Sequence, residues 1–185
     1  MNSIAQHIKA ISQIFSLAEE RNILIWLESG WAIDARLGKI TREHEDIDIA
    51  FAQENEHEFN KLLDDLAYKD YEKTDYGFLI RRSEILVDAE PCIKRHDEYN
   101  FPDFPSGSCP LAKEGRIEGF ELRCVSWEAI YYEYLGYEAL IPLDKWREKD
   151  FQSYEITKQH ITPSRQTELE KLFNARQSRS NPAGI

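Results

Sequence analysis

Residues 28–51, ESGWAIDARLGKITREHEDIDIAF, decide how this chain is read. A glycine-aromatic turn at Gly30-Trp31 leads into a short amphipathic run that stops at Gly38, the usual place for a glycine just past a helix. DIDIAF then alternates strictly, which predicts a strand with Ile47 and Ile49 on one face and Asp46 and Asp48 on the other. Two carboxylates side by side repel each other, so an ordinary strand gains nothing from the arrangement. The pattern points to a cation between them.

Upstream of this stretch, Ile4, Ile8, Ile11, Ile14 and Phe15 recur at helical steps and predict a helix to about Glu20. ILIWL at 23–27 reads as a buried strand. Downstream, 54–66 is helical, with Phe59, Leu62, Leu63 and Leu66 on one stripe, and 68–91 reads as three short strands, the last carrying Asp88. The Pro, Gly, Asp and Ser content then rises over 92–110, which reads as a long loop or lobe boundary. GRIEGFELRC at 115–124 is a hairpin turning near Gly119, and Ser126 is a good N-cap for the helix that follows. Helices over 143–160 and 164–177 precede a polar tail. Strands and helices mix first and helices close the chain. The expected class is α+β: a mixed sheet with flanking helices over 1–110, then a hairpin and a C-terminal helical lobe over 111–185.

The chain has 185 residues, 42% of them hydrophobic and 12% aromatic, enough for a packed core. Its net charge of −11 disfavours sequence-independent nucleic-acid binding and favours small polycationic ligands. No apolar run approaches the ~18 residues of a membrane span. The N-terminal stretch lacks a secretory core, so a cytoplasmic protein without membrane or nucleic-acid partners is expected, as a monomer. Cys92, Cys109 and Cys124 are odd in number and far apart, which suits reduced, buried thiols.

Asp46 and Asp48 offer hard oxygen ligands of the kind that suit Mg²⁺, which usually shares its shell with substrate phosphates. If the strand of Asp88 neighbours DIDIAF, Asp88 completes a three-carboxylate cluster. Ser29 and Gly30 place backbone N–H groups at the start of the short helix, a ready anion site. A phosphate cradle followed by metal ligands suggests phosphoryl or nucleotidyl transfer. Arg42 can balance the acids or reach a phosphate, and His44 can touch a phosphate or cap a turn. Trp31 and Trp127 read as packing residues, and Asp103 as an exposed loop charge.

The motifs GWAIDARLG (30–38), TREHEDID (41–48), DYGFL (75–79), DAEP (88–91), GSCP (107–110) and SWEAI (126–130) also resemble, in order and spacing, a known group. It is the aminoglycoside 2''-O-adenylyltransferases, within the nucleotidyltransferase superfamily of DNA polymerase beta type. The similarity runs from about residue 10 to residue 155. It implies transfer of AMP from ATP to an aminoglycoside hydroxyl, with magnesium on Asp46 and Asp48. It makes Asp88 the general base and a shared metal ligand. Ser29, Gly30 and Lys149 are implied for the nucleotide, and Tyr76, Glu90 and Glu133 for the sugar-amine substrate. Lincosamides remain alternative acceptors, and a non-catalytic nucleotide-binding module is the third reading. Where the family has two glycines this chain has Ser29-Gly30, and serine reaches positive φ less cheaply than glycine.

Overall fold

The computed structural model describes residues 3–180 and divides the chain into two compact units, Met1–Val125 and Ser126–Ile185. In the first unit the described elements begin with helix α1 (Ser3–Glu20), strand β1 (Ile25–Leu27), helix α2 (Ser29–Leu37) and strand β2 (Ile47–Ala52). Helix α3 (Glu56–Asp65) and strands β3 (Lys69–Lys73), β4 (Phe78–Arg82), β5 (Ile85–Arg95) and β6 (Glu98–Asn100) follow. A hairpin of β7 (Gly115–Ile117) and β8 (Phe120–Leu122) completes it.

The main sheet runs β1-β2-β5-β4-β3, with β6 added to the far end of β5. β2 and β5 are parallel and the other neighbours antiparallel. Parallel neighbours need a long connection, which α3 and the β3–β4 hairpin supply. β2 is central because it can be: Ile47, Ile49, Ala50, Phe51 and Ala52 are all buried, so neither face requires water. Phe51 stacks on Phe59 of α3 at 5.2 Å between centroids, and both approach Phe78 of β4. α1 buries Ala10, Ile11, Ile14 and Ala18, the stripe its periodicity announces.

Two stretches differ from the sequence reading. The third strand of 68–91 is not short: β5 runs to Arg95 and turns through His96 (φ 57°) into β6. The region 92–110 is therefore sheet as far as Asn100 on either side of that turn. Its polar, proline-rich composition describes the edge and the following segment, which Asn100 organises by accepting from the N–H groups of Gly107 (2.6 Å) and Ser108 (3.1 Å). The second difference concerns the boundary, which lies at 125/126 where the sequence placed it at 110/111. The β7–β8 hairpin packs on α2. Arg36 donates to the carbonyls of Val125 (2.6 Å) and Cys124 (3.3 Å) and pairs with Glu114 (2.9 Å). A side chain at Gly115 would collide with Cys124 Sγ, so glycine permits this approach. Residues 123–125 also bond to Leu27, extending the sheet beyond β1.

The second unit holds α4 (Trp127–Leu140), α5 (Glu148–Gln159) and α6 (Pro163–Ser180). Ser126 caps α4, its hydroxyl accepting from Ala129 N–H at 3.1 Å. Tyr131 and Tyr132 are buried; Tyr131 stacks on Tyr154 at 5.8 Å and donates to Glu170 at 2.9 Å. Trp127 stacks on His160 at 4.3 Å, a packing contact. The polar tail continues as helix to Ser180, and 181–185 lie outside the described residues. Cys92, Cys109 and Cys124 are free and buried, and among the described residues no helix is long and apolar enough to cross a membrane.

Loss of the α4 cap should be measurable on its own. Ser126→Ala removes one satisfied helix N–H and is expected to cost about 1 kcal/mol, read as a lower urea midpoint with unchanged slope.

Candidate active site

The β2–β5 pairing sets Asp48 opposite Asp88 in parallel register. Register neighbours project to the same face of a sheet, so the two carboxylates stand side by side although remote in the chain. Asp46 lies one residue ahead of β2, where the buried indole of Trp31 donates to its carbonyl at 3.1 Å. Glu28 N–H donates to the carbonyl of Asp48 at 2.9 Å, bringing the start of α2 beside the same acids. Burial pushes the Asp88 carboxyl above the ordinary carboxylate range; a hydrogen bond from Tyr76 opposes that shift and the charge of Asp46 adds to it.

Tyr76 sits in the turn between β3 and β4. Thr74 and Gly77 close that turn with two hydrogen bonds, of 2.9 and 3.0 Å. Gly77 lies so near β5 that a Cβ would collide with the carbonyl oxygen of Ala89. That approach lets the exposed Tyr76 ring donate its hydroxyl to Asp88 Oδ2 at 2.9 Å. Burial first, then Asp88, pushes the phenol up to about 12, so it remains a donor at neutral pH. Glu90 is half-buried, two residues beyond Asp88 and opposite Ala50, hence on the same face.

The other side of the site is built by α2 and the 41–44 loop. Ser29 takes φ 47°, in the left-handed region that glycine reaches freely. Gly30 is buried, and a Cβ there would stand 2.6 Å from His44 Nδ1 and collide with Arg42 Nη2. His44 is itself buried, its ring tilted against Trp31 at 4.3 Å between centroids, with Nε2 hydrogen-bonded to Asp34 Oδ2 at 2.7 Å. So the structure gathers Ser29, Gly30, Arg42 and His44 in one place, beside Asp46, Asp48 and Asp88. Asp34 went unnoticed in the sequence because an acid on an amphipathic helix ordinarily faces water. Its seat inside the apolar run WAIDA was the available signal. Lys149, half-buried in the first turn of α5, and Glu133, exposed on α4, belong to the second unit. Asp103 is exposed.

The carboxylates offer hard oxygen donors, and the charge of Asp46 already disfavours the ionisation of Asp88. Among the described residues no group of three or more His, Cys, Asp or Glu is arranged to hold a metal ion. Magnesium usually takes one or two carboxylates and completes its shell with water and phosphate, so the Asp48–Asp88 pair fits that ion.

A family model described as aminoglycoside-2''-adenylyltransferase matches residues 10–147. The chain belongs to that family. It is 38% identical over 169 residues to a 2''-aminoglycoside nucleotidyltransferase of Klebsiella pneumoniae, covering 91% of this chain and 96% of the relative. It resembles the crystal structure of ANT(2'')-Ia in complex with adenylyl-2''-tobramycin with a TM-score of 0.89 and 37% identity, over 92% of this chain and 98% of that one. The lincomycin-bound lincosamide adenylyltransferase LnuA shares the fold, with a TM-score of 0.62 at 23% identity over 81% of this chain and 95% of that one.

Two measurements probe this geometry. Relieving a left-handed serine gains roughly 1–2 kcal/mol, and the freer unfolded glycine gives back roughly 0.5–1. Ser29→Gly should therefore raise stability by about 0.5–1 kcal/mol in urea denaturation. In the metal-free protein, carbon-detected NMR should find the Asp88 carboxyl titrating above an ordinary aspartate. Tyr76→Phe should move it higher still, since the lost donor stabilised the charged form.

Proposed function

We propose that this enzyme transfers AMP from ATP to the 2'' hydroxyl of an aminoglycoside and releases pyrophosphate. The observation that carries the reading is the register pair Asp48–Asp88 beside a helix start faced by Arg42 and His44. The first turn of α2, from Ser29 and Gly30, supplies N–H groups for the triphosphate, and Arg42 supplies fixed positive charge. Asp46 and Asp48, with Asp88 shared, would hold magnesium, which when bound neutralises phosphate charge and acts as a Lewis acid.

Asp88 accepts the proton of the attacking hydroxyl. The hydroxyl oxygen bonds to the α-phosphorus as the bond to the bridging oxygen breaks, and that oxygen leaves with pyrophosphate. Tyr76, already donating to Asp88, keeps the carboxylate oriented toward the acceptor. Glu90 offers a carboxylate to an ammonium group of the acceptor, a charge-assisted hydrogen bond worth about 1.5–3 kcal/mol. The net charge of −11 draws such a polycation toward the protein. The enzyme works as a monomer in the cytoplasm, where its nucleotide donor is made.

Pyrophosphate release from MgATP with a panel of aminoglycosides and lincosamides tests the reaction. Release with kanamycin- or gentamicin-type compounds is expected; release with lincosamides alone would replace the acceptor class. Asp88→Asn should retain nucleotide binding while kcat falls by about 10²-fold or more, the usual contribution of a positioned base. Nearly full turnover in that variant would remove Asp88 from the role.

A further inference from the structure

Asp34 is a fully buried carboxylate, 0% exposed, in the middle of α2, and every donor the structure prints for its side chain comes from one short loop. Its Oδ1 accepts from the backbone N–H of Thr41 at 3.0 Å and from the Thr41 hydroxyl at 2.5 Å. Its Oδ2 bonds Nε2 of His44 at 2.7 Å. The two ends of the 41–44 loop are thus pinned to one residue, and Arg42 lies between the pins. The guanidinium donates through Nη1 to the Glu43 carbonyl at 3.0 Å and turns Nη2 toward Gly30. The imidazole, packed at a tilt against Trp31 and held at Nε2 by Asp34, turns Nδ1 to the same place.

A buried carboxylate is an expensive way to stitch a loop to a helix, because its charge must be taken out of water. Neutral serine or asparagine could hold Thr41 in place, and an apolar residue would pack better among Trp31, Ile33 and Ala35. What the carboxylate does in addition is hold a threonine and a histidine together, with an arginine set between them. Both side chains reach the place that a side chain at position 30 would fill, and so lie against the first turn of α2. We infer that Asp34 is the positioning residue of the nucleotide-phosphate site. It touches no phosphate itself; it locks the 41–44 loop so that Arg42 Nη2 and His44 Nδ1 meet a phosphate at the first turn of α2. The inference rests on the nucleotide reading of that site.

The test begins with the unaltered protein. Side-chain NMR of arginine- and histidine-labelled enzyme is followed as a non-hydrolysable ATP analogue and magnesium are added. The Arg42 guanidinium and His44 ring signals should both move at saturation. If the analogue binds, by equilibrium dialysis, and neither signal moves, the inference is overturned while the proposed reaction stands. If the analogue does not bind at all, the reading of the site and the inference fall together. Steady-state kinetics then separate positioning from mere structure. Asp34→Asn should raise the KM for ATP about tenfold, the weight of one charge-assisted contact, while the KM for the aminoglycoside stays within about twofold. In an Arg42→Ala, His44→Ala background the same change should have little further effect on the KM for ATP, because the groups it presents are already gone. Full, independent losses in the triple variant, or an unchanged KM for ATP in a folded Asp34→Asn, would overturn it. Should Asp34→Asn fail to fold, the labelled wild-type titration decides alone.

Discussion

The site depends on one pairing: β2 and β5 run parallel and in a register that sets Asp48 against Asp88. A slip of one residue would turn Asp88 to the opposite face and leave Asp48 beside an apolar neighbour. The register is secured by what lies under it. Ile47, Ile49, Val87 and Ala89 are all buried on the other face, and any slip would expose them. The same hydrophobic burial that stabilises the sheet therefore fixes the distance between two acids that would otherwise repel. Repulsion between them is tolerated because the sheet, rather than the acids, decides where they stand.

Around this pair the fold spends its close approaches on bringing loops inward. Gly77 lets the β3–β4 turn lie against β5, which delivers the Tyr76 hydroxyl to Asp88. Gly30 lets Arg42 and His44 lie against the first turn of α2. Gly115 lets the β7–β8 hairpin lie against α2, where Arg36 ties it to the segment that follows. In each case a side chain at the glycine would meet atoms already in place. Ser29 is the exception, a side-chain-bearing residue in the left-handed region at the site itself. Strain kept at such a position is common where backbone geometry serves a ligand.

Much of this was legible in the chain. DIDIAF announced β2 by strict alternation, Gly38 (φ 67°) closed α2, and Ser126 capped α4 as its side-chain chemistry requires. The acids, the helix start, Arg42 and His44 were all picked out, because residue type and short spacing carry that information. Two things were not. The polar composition of 92–110 hid the end of β5 and all of β6, since an edge strand shows one ladder to solvent and tolerates polar residues. Asp34 was hidden because a carboxylate's worth depends on which donors reach it, and those come from a loop that follows the helix.

By itself, then, the sequence determined which segments are strands and helices, where they stop, and which residue types could bind phosphate, metal and ammonium groups. Local periodicity, caps and turns depend on neighbours a few positions apart, and these are written in the chain. The tertiary structure alone decided that Asp48 stands beside Asp88, that Tyr76 reaches across to Asp88, and that Asp34 holds the loop bearing Arg42. Those contacts follow from strand order and register, which burial of the whole sheet selects and no short stretch encodes.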